Sequence, residues 1–163
     1  MNPAPSKKYQ QTGSDLRRPP LLVKKDCVMC DYVKNKKNFK EHGNYIGRPS
    51  MYGNPFSHKP ATLAEIRVET RHEAVMRFAR WVVTGKDAEH KASPQPIWDA
   101  IRANKLNNAL PVVCWCAPEV CHGHVIEELR TPAQLEVALS NPEAFIARIE
   151  HKILKLAPQR RFF

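Results

Sequence analysis

The stretch that decides the fold is residues 110–124, which read LPVVCWCAPEVCHGH. Residues 110–116 are apolar and rich in β-branched side chains, and such a short run predicts a buried strand. A loop with proline and glutamate follows, and the apolar residues within 125–129 then predict a helix. A strand, a loop and a helix in succession are typical of α/β proteins.

Cysteine and histidine side chains are concentrated around the end of this strand. Cys114 and Cys116 lie two residues apart on the strand and point to the same face, while Cys121 falls in the following loop. Such a loop is the usual ligand position in α/β sheets, and its backbone amides favour an anion or a thiolate. We therefore predict Cys116 or Cys121 as a nucleophile, with His122 as its base. The expected role of Cys114 is that of a small buried packing residue.

A metal site is a second interpretation of the cysteines. The chain has five of them, and Cys27 and Cys30 form a C-x-x-C pair. Together with ligands from residues 114–124, this pair can complete a tetrahedral zinc site. The same two residues can also be ordinary thiols in a basic segment. Zinc is therefore one possible cofactor, with reduced, metal-free thiols as the alternative.

A second dense segment, residues 44–56, reads NYIGRPSMYGNPF. Glycine and proline recur over residues 47–60 and predict a loop without a regular element. Arg48 offers a planar, bidentate donor for phosphate or carboxylate. Ser50 and Asn54 can orient a ligand by hydrogen bonds. We predict these three as ligand-binding residues, and the alternative is a purely structural turn.

The aromatic residues of the same segment, Tyr45, Tyr52 and Phe56, have two possible roles. Exposed at a site, they would stack on a base, as aromatic residues do when they bind single-stranded nucleic acid. Buried, they would belong to the hydrophobic core, and the segment would be a structural turn. The sequence leaves both alternatives open.

Short strands and capped helices are predicted in the rest of the chain. Residues 31–34 and residues 44–47 each predict a strand. Thr62 and Thr70 each begin a Thr-x-x-Glu capping box, and the second precedes an apolar helical face that ends at Gly85. Two further helices are predicted from proline in the first turn followed by apolar residues; they begin at Ser93-Pro94 and Asn141-Pro142.

The net charge of +10 is unevenly distributed. Residues 1–40 carry ten basic and three acidic side chains, whereas residues 41–158 carry 14 and 13. A basic arm can neutralise phosphates, so nucleic acid is one candidate partner, and a solubilising tail is the alternative. The candidate nucleic-acid-binding residues are Lys7, Lys8, Arg17, Arg18, Lys24 and Lys25.

These elements together predict an α/β fold, in the form of a small Rossmann-like three-layer sheet with flanking helices. We expect residues 1–25 to be a flexible basic arm, residues 26–140 the α/β domain, and residues 141–163 a C-terminal helix with a basic tail. No apolar run approaches the length of a membrane span, and residues 1–15 lack the apolar stretch of a secretory signal. A cytoplasmic protein is therefore expected.

Four short motifs carry a family resemblance: YIGRPS at residues 45–50, GNPF at 53–56, VCWCAP at 113–118 and CHG at 121–123. In this order and spacing they resemble a family of small domains from bacteriophage and bacterial genomes whose function is unknown. The resemblance covers about residues 31–130. It supports the fold and the position of a site, because the family has no established activity.

Functions from different classes are compatible with these patterns. In the first, a site between residues 47–56 and residues 116–124 binds a nucleotide or a similar phosphate-bearing molecule, on which the cysteines act. In the second, the chain is a non-catalytic phage factor that binds host nucleic acid or ribonucleoprotein through its basic termini, Arg160 and Arg161 included. A metal-stabilised interaction module is a third.

Overall fold

The computed structural model describes residues 33–60 and 62–156. The predicted basic arm, the pair Cys27 and Cys30, and the two C-terminal arginines lie outside these residues. Within them the chain forms five short strands and five helices. In chain order they are β1 (Val33–Asn35), β2 (Asn44–Tyr45), β3 (Phe56–Ser57), β4 (Ile66–Arg67), α1 (Arg71–Thr84), α2 (Gln95–Arg102), β5 (Val112–Cys114), α3 (Gly123–Glu127), α4 (Pro132–Ser140) and α5 (Pro142–Leu156).

β5 is the central strand of a three-stranded parallel sheet, with β1 on one side and β2 on the other. Val112 at its start is paired with both Val33 and Asn44. All three residues of β5 are buried, as the apolar run predicts for the centre of a parallel sheet. The α/β class is therefore confirmed, and the Rossmann-like three-layer arrangement stays a prediction.

A second sheet, formed by β3 and β4 in parallel, corrects two of the sequence predictions. Residues 47–60 are not free of regular structure, because the amide of Ile66 donates to the carbonyl of Pro55 at 3.0 Å and begins the ladder. The first capping box is also wrong. The Thr62 hydroxyl accepts from the amide of Ala64 at 3.2 Å in a local turn, and the chain enters β4 instead of a helix.

Helix α1 confirms the second capping pattern. The Thr70 hydroxyl accepts from the amide of Glu73 at 3.0 Å, while the Glu73 carboxylate accepts from the amide of Glu69. At the other end Gly85 takes a left-handed φ of 71°, which glycine adopts at little cost, and its amide donates to the carbonyl of Trp81. The buried face of α1 packs against α5 and β3.

The remaining helices complete the core around the sheets. α2 and α5 begin where the proline patterns predict, and α5 buries Phe145, Ile149 and Ile153. Helix α4 is absent from the sequence predictions, although Thr131 and Gln134 form its reciprocal capping box. Among the described residues, no helix has both the length and the apolar content that a membrane crossing requires.

An ion pair holds the turn that follows α1. Arg77 donates two hydrogen bonds to the carboxylate of Asp87, at 2.7 and 3.1 Å, and the amides of Glu89 and His90 donate to the same carboxylate. Burial raises the pKa of Asp87, but these hydrogen bonds together outweigh it and lower the pKa to about 2. The Arg77 guanidinium also lies 4.7 Å from the centre of the Phe56 ring. The pair therefore supports a side chain of β3 as well as the turn.

We expect Asp87→Asn to lower the free energy of unfolding by about 1.5–3 kcal/mol, the range for hydrogen bonds to charged groups. The folded-state pKa of Asp87 lies below its unfolded value of about 4, so this stabilisation is present above pH 4 or so and is lost as the pH falls toward 2. Urea unfolding at about pH 7 and about pH 3 should therefore show a smaller difference between variant and wild type at the lower pH. The exposed Glu150→Gln is the control, and a difference that is equal at both pH values would contradict the assignment.

Candidate functional site

A cavity of about 210 Å³ lies at the carboxyl end of β5. Its walls are formed by residues between 47 and 59, between 63 and 75 and between 114 and 122. Two of these segments meet because β2 and β5 pair in parallel, so the chain leaves both strands at the same edge of the sheet. The two loops between which a ligand site is predicted thus enclose a cavity, and its occupant stays a prediction.

His122 is a buried imidazole at the base of this region. Its Nε2 lies 2.9 Å from the carbonyl oxygen of Ile46, and because a carbonyl only accepts, Nε2 carries the proton. Burial lowers the pKa of His122 and favours the neutral ring, although this hydrogen bond and Cys116 act in the opposite direction. Phe78 packs edge-on against the ring, with 5.3 Å between the ring centres. Nδ1 is therefore the nitrogen left to accept a proton or to bind a metal ion.

Three thiols meet beside His122. Cys114 and Cys121 are buried and Cys116 is half-buried, and the Cys116 thiol hydrogen-bonds both of the others. One ligand atom each from Cys114, Cys121 and His122 lies within 4.8 Å of the other two. This cluster has the ligand types and the proximity to hold a metal ion. Cys114 is buried as predicted, but it belongs to the cluster as well as to the core.

The cysteine cluster concentrates negative charge on one sulfur atom. Hydrogen bonds from Cys114 and Cys121 lower the pKa of Cys116, and His122 and Arg71 act in the same direction while burial opposes them. The hydrogen bond to Cys116 raises the pKa of Cys114, and hydrogen bonds to both thiols together with burial raise the pKa of Cys121. These contacts therefore favour the ionised form of Cys116 and the protonated forms of its two neighbours.

Arg48 extends from the loop after β2 and lines the cavity. Its Nη1 donates to the carbonyl oxygen of Asn54 at 2.5 Å, which closes the loop on itself. The carbonyl of Arg48 in turn accepts from the Tyr45 hydroxyl at 2.9 Å. A guanidinium has five N–H donors, so this anchored side chain keeps donors for an anion in the cavity.

Asn54 and Ser50 do not lie in one shared ligand site. Asn54 lines the cavity, but its amide is engaged in the fold: Nδ2 donates to the carbonyl of Ala74 at 3.0 Å, and Oδ1 accepts from the amide of Phe56 at 2.8 Å. Ser50 is not among the cavity-lining residues; it lies at a separate depression beside Pro49. The structure therefore brings Arg48 and Asn54 to the cysteines, and does not bring Ser50 to them.

The aromatic residues of the same loop are divided between core and surface. Tyr52 and Phe56 are buried, and Phe56 packs edge-on against His90 with 5.9 Å between the ring centres. Both residues therefore pack in the core, and Phe56 also lines the cavity. Tyr45 is half-buried, and its hydroxyl accepts a hydrogen bond from the exposed Trp115 at 3.0 Å.

Three basic residues that line the cavity were not identified by the sequence analysis. His58, Lys59 and Arg71 line the cavity with Arg48, and no acidic side chain is found among the described residues that line it. Burial lowers the pKa of His58, and the charges of Arg71 and Lys59 lower it further, which favours the neutral ring. The sequence around these residues carries no local signal of a site, because only the packing of β3 and α1 brings their side chains to the cysteines.

Comparison with known proteins places the chain in a family. The model of DUF4326, a domain of unknown function, matches residues 31–131, and the chain belongs to that family. The match contains both loops that enclose the cavity and agrees with the extent of the resemblance in the sequence. The curated proteins and the solved structures contain no match to the chain.

We expect Asn54→Ala to lower the free energy of unfolding by about 1–3 kcal/mol, because it leaves the buried amide of Phe56 without a partner and removes the hydrogen bond to α1. The control is Asn108→Ala in the exposed turn before β5, which should change the stability by about 0.5 kcal/mol or less. Thermal and urea unfolding measure both variants. If Asn54→Ala unfolds like the wild type, the amide does not have the structural role assigned to it.

Proposed function

We propose that the cavity binds a nucleotide or a similar phosphate-bearing molecule. The charge of the cavity wall carries this proposal: Arg48, Lys59 and Arg71 line it, and none of its described lining residues is acidic. Cations around a cavity that is partly shielded from water attract an anion more strongly than cations on an open surface do. Two of the three are arginines, whose planar guanidinium groups match the geometry of a phosphate.

Arg71 provides the most specific support for an anionic ligand. Its Nη2 forms an ion pair with Glu119, whereas its Nη1 is buried and has no hydrogen-bond partner among the described residues. Leaving a buried donor unpaired costs roughly 1–3 kcal/mol. A phosphate oxygen in the cavity would accept from Nη1 and form a charge-assisted hydrogen bond.

The proposal keeps the nucleophile and the base predicted from the sequence, and it gives Cys116 and Cys121 different roles. Cys116 is the least buried of the three thiols and lines the cavity with the cations, so it is the sulfur that a bound ligand would meet. Cys121 also lines the cavity but is more deeply buried, and it serves as a hydrogen-bond partner of Cys116. His122 would accept a proton through Nδ1, since Nε2 is bonded to Ile46.

We expect Arg71→Gln and Arg48→Gln each to weaken binding of nucleoside 5′-monophosphates by about tenfold or more, equivalent to about 1.4 kcal/mol. Each substitution removes a positive charge from the cavity wall and keeps a polar side chain of similar length. Isothermal titration calorimetry with the four common ribonucleoside 5′-monophosphates, ribose 5-phosphate and inorganic phosphate measures the loss.

The matched control is Arg102→Gln, which removes an equal charge from α2, outside the cavity wall. This variant should bind the same compounds with unchanged affinity. Circular dichroism and thermal unfolding establish that each variant is folded. If the wild type binds none of the compounds, or if all three variants bind equally well, the proposal that the cavity binds an anion is contradicted.

We also propose a zinc ion at Cys114, Cys121 and His122, which the spacing of these ligand atoms specifically favours. Thiolate and imidazole are the preferred zinc ligands, and ligating histidines usually donate their other N–H to a carbonyl, as His122 does to Ile46. The Cys116 thiol hydrogen-bonds both cysteines but is not one of the three clustered ligands. With zinc bound, His122 would be a ligand and no longer a base.

Metal analysis tests the zinc site directly. We expect about one zinc ion per chain after purification without chelator, and its loss in Cys121→Ser and His122→Ala. Removal of the metal should lower the midpoint of thermal unfolding, because a ligand that binds the folded state stabilises it.

The double variant Cys27→Ser/Cys30→Ser is the control for the alternative ligand set predicted from the sequence. It should retain the metal if the cluster at the cavity is the site. Zinc that disappears with Cys27 and Cys30, or wild-type protein that takes up none when zinc is added, would contradict this assignment.

A further inference from the structure

Trp115 differs from the other two tryptophans of the chain. The indole rings of Trp81 and Trp98 pack against the core and donate to backbone carbonyls at 2.9 and 2.7 Å. Trp115 instead is 59% exposed and lines the cavity at the end of β5. Exposing most of a large aromatic ring to water forgoes the free energy that its burial would release. The position therefore calls for an explanation other than packing.

The exposed ring is nevertheless held in place. Its Nε1 donates to the Tyr45 hydroxyl at 3.0 Å, and the same hydroxyl donates to the carbonyl of Arg48 at 2.9 Å. The backbone is fixed as well, since Asn35 Nδ2 donates to the carbonyl oxygen of Trp115 at 3.1 Å. An aromatic surface that is already oriented loses little conformational entropy when a partner covers it.

The chain of hydrogen bonds also couples the indole to the charged part of the cavity. Trp115 is bonded to Tyr45, Tyr45 is bonded to the backbone of Arg48, and the Arg48 side chain lines the same cavity as the indole. The lining of the cavity therefore combines an aromatic side chain with cationic ones. A planar aromatic group joined to a phosphate is the chemical class that satisfies both.

We infer that Trp115 is the stacking platform for the base of a nucleotide whose phosphate is bound by Arg48 and Arg71. This inference rests on the proposed function and narrows it from phosphate-bearing ligands in general to those that carry a base. Stacking on an aromatic side chain is tolerant of base identity, because every base has a π face.

A protein partner is a less suitable occupant for this surface. Of the large apolar side chains exposed in the described residues, only Leu63 shares the cavity wall with Trp115; Met51, Val137 and Leu154 do not line it. The indole is thus not part of a broad apolar patch of the kind that marks a protein interface. An apolar partner would also leave the neighbouring cations without a counter-charge.

The test compares ligands with and without a base. Calorimetry measures the affinities of the four common ribonucleoside 5′-monophosphates and of ribose 5-phosphate for the wild type, Trp115→Ala and Trp115→Phe. We expect Trp115→Ala to weaken the tightest nucleotide by about tenfold or more and ribose 5-phosphate by less than about twofold. Trp115→Phe, which keeps a smaller aromatic face, should retain nucleotide affinity within about fivefold.

Tryptophan fluorescence gives an independent readout. A base stacked on Trp115 should quench the emission of the exposed indole, whereas ribose 5-phosphate should not. The quenching should persist in Trp98→Phe, which removes a half-buried indole on α2, and should vanish in Trp115→Phe.

The outcomes separate this inference from the proposed function. If ribose 5-phosphate binds as tightly as every nucleotide, or if Trp115→Ala weakens all ligands equally, stacking is overturned while phosphate binding stands. Equal weakening would mean that Trp115 acts on Arg48 through Tyr45 and does not contact the base. If neither nucleotides nor ribose 5-phosphate nor inorganic phosphate binds the wild type, both proposals fail.

Discussion

The parallel pairing of β5 with its two neighbours is the constraint on which the cavity depends. β1 and β2 both align with Val112, and the ladder continues past β2, where the amide of Ile46 donates to the carbonyl of Val113 at 3.0 Å. Parallel strands end at one edge of a sheet, so the loop with Arg48 and the loop with the cysteines leave from the same side. The hydrogen bond from His122 to Ile46 then ties the second loop to the first.

The thiols and the cations at this edge of the sheet influence one another through specific contacts. Hydrogen bonds from two thiols and the charge of the nearby Arg71 lower the pKa of Cys116 and favour its ionised form. The described lining residues of the cavity include three cations and no acidic side chain, and one of the cations, Arg71, forms an ion pair with the exposed Glu119. This positive charge is the basis of the proposed anionic ligand, whereas the proposed metal ion would bind the buried thiols and imidazole.

Local sequence patterns were reliable where the signal and the structure involve the same few residues. The cap at Thr70, the stop at Gly85 and the apolar run of β5 each act over one turn or one strand, and all three are found in the structure. Thr62 carries the same capping pattern but forms a turn, because tertiary pairing of β4 with β3 competes with the helix. Gly123 shows another limit: a Cβ there would lie 2.8 Å from Val33, a packing reason invisible in the motif.

The sequence likewise identifies some residues of the candidate site, whereas tertiary packing decides the others. Cys116, His122 and Arg48 could be named from residue type and motif, since thiol, imidazole and guanidinium chemistry is a property of the side chain itself. The structural use of Asn54 and the arrival of Arg71 at the cavity depended on how α1 packs against the loop after β2. Distance along the chain says nothing about such contacts, because they form only when separate elements bury their apolar faces against one another.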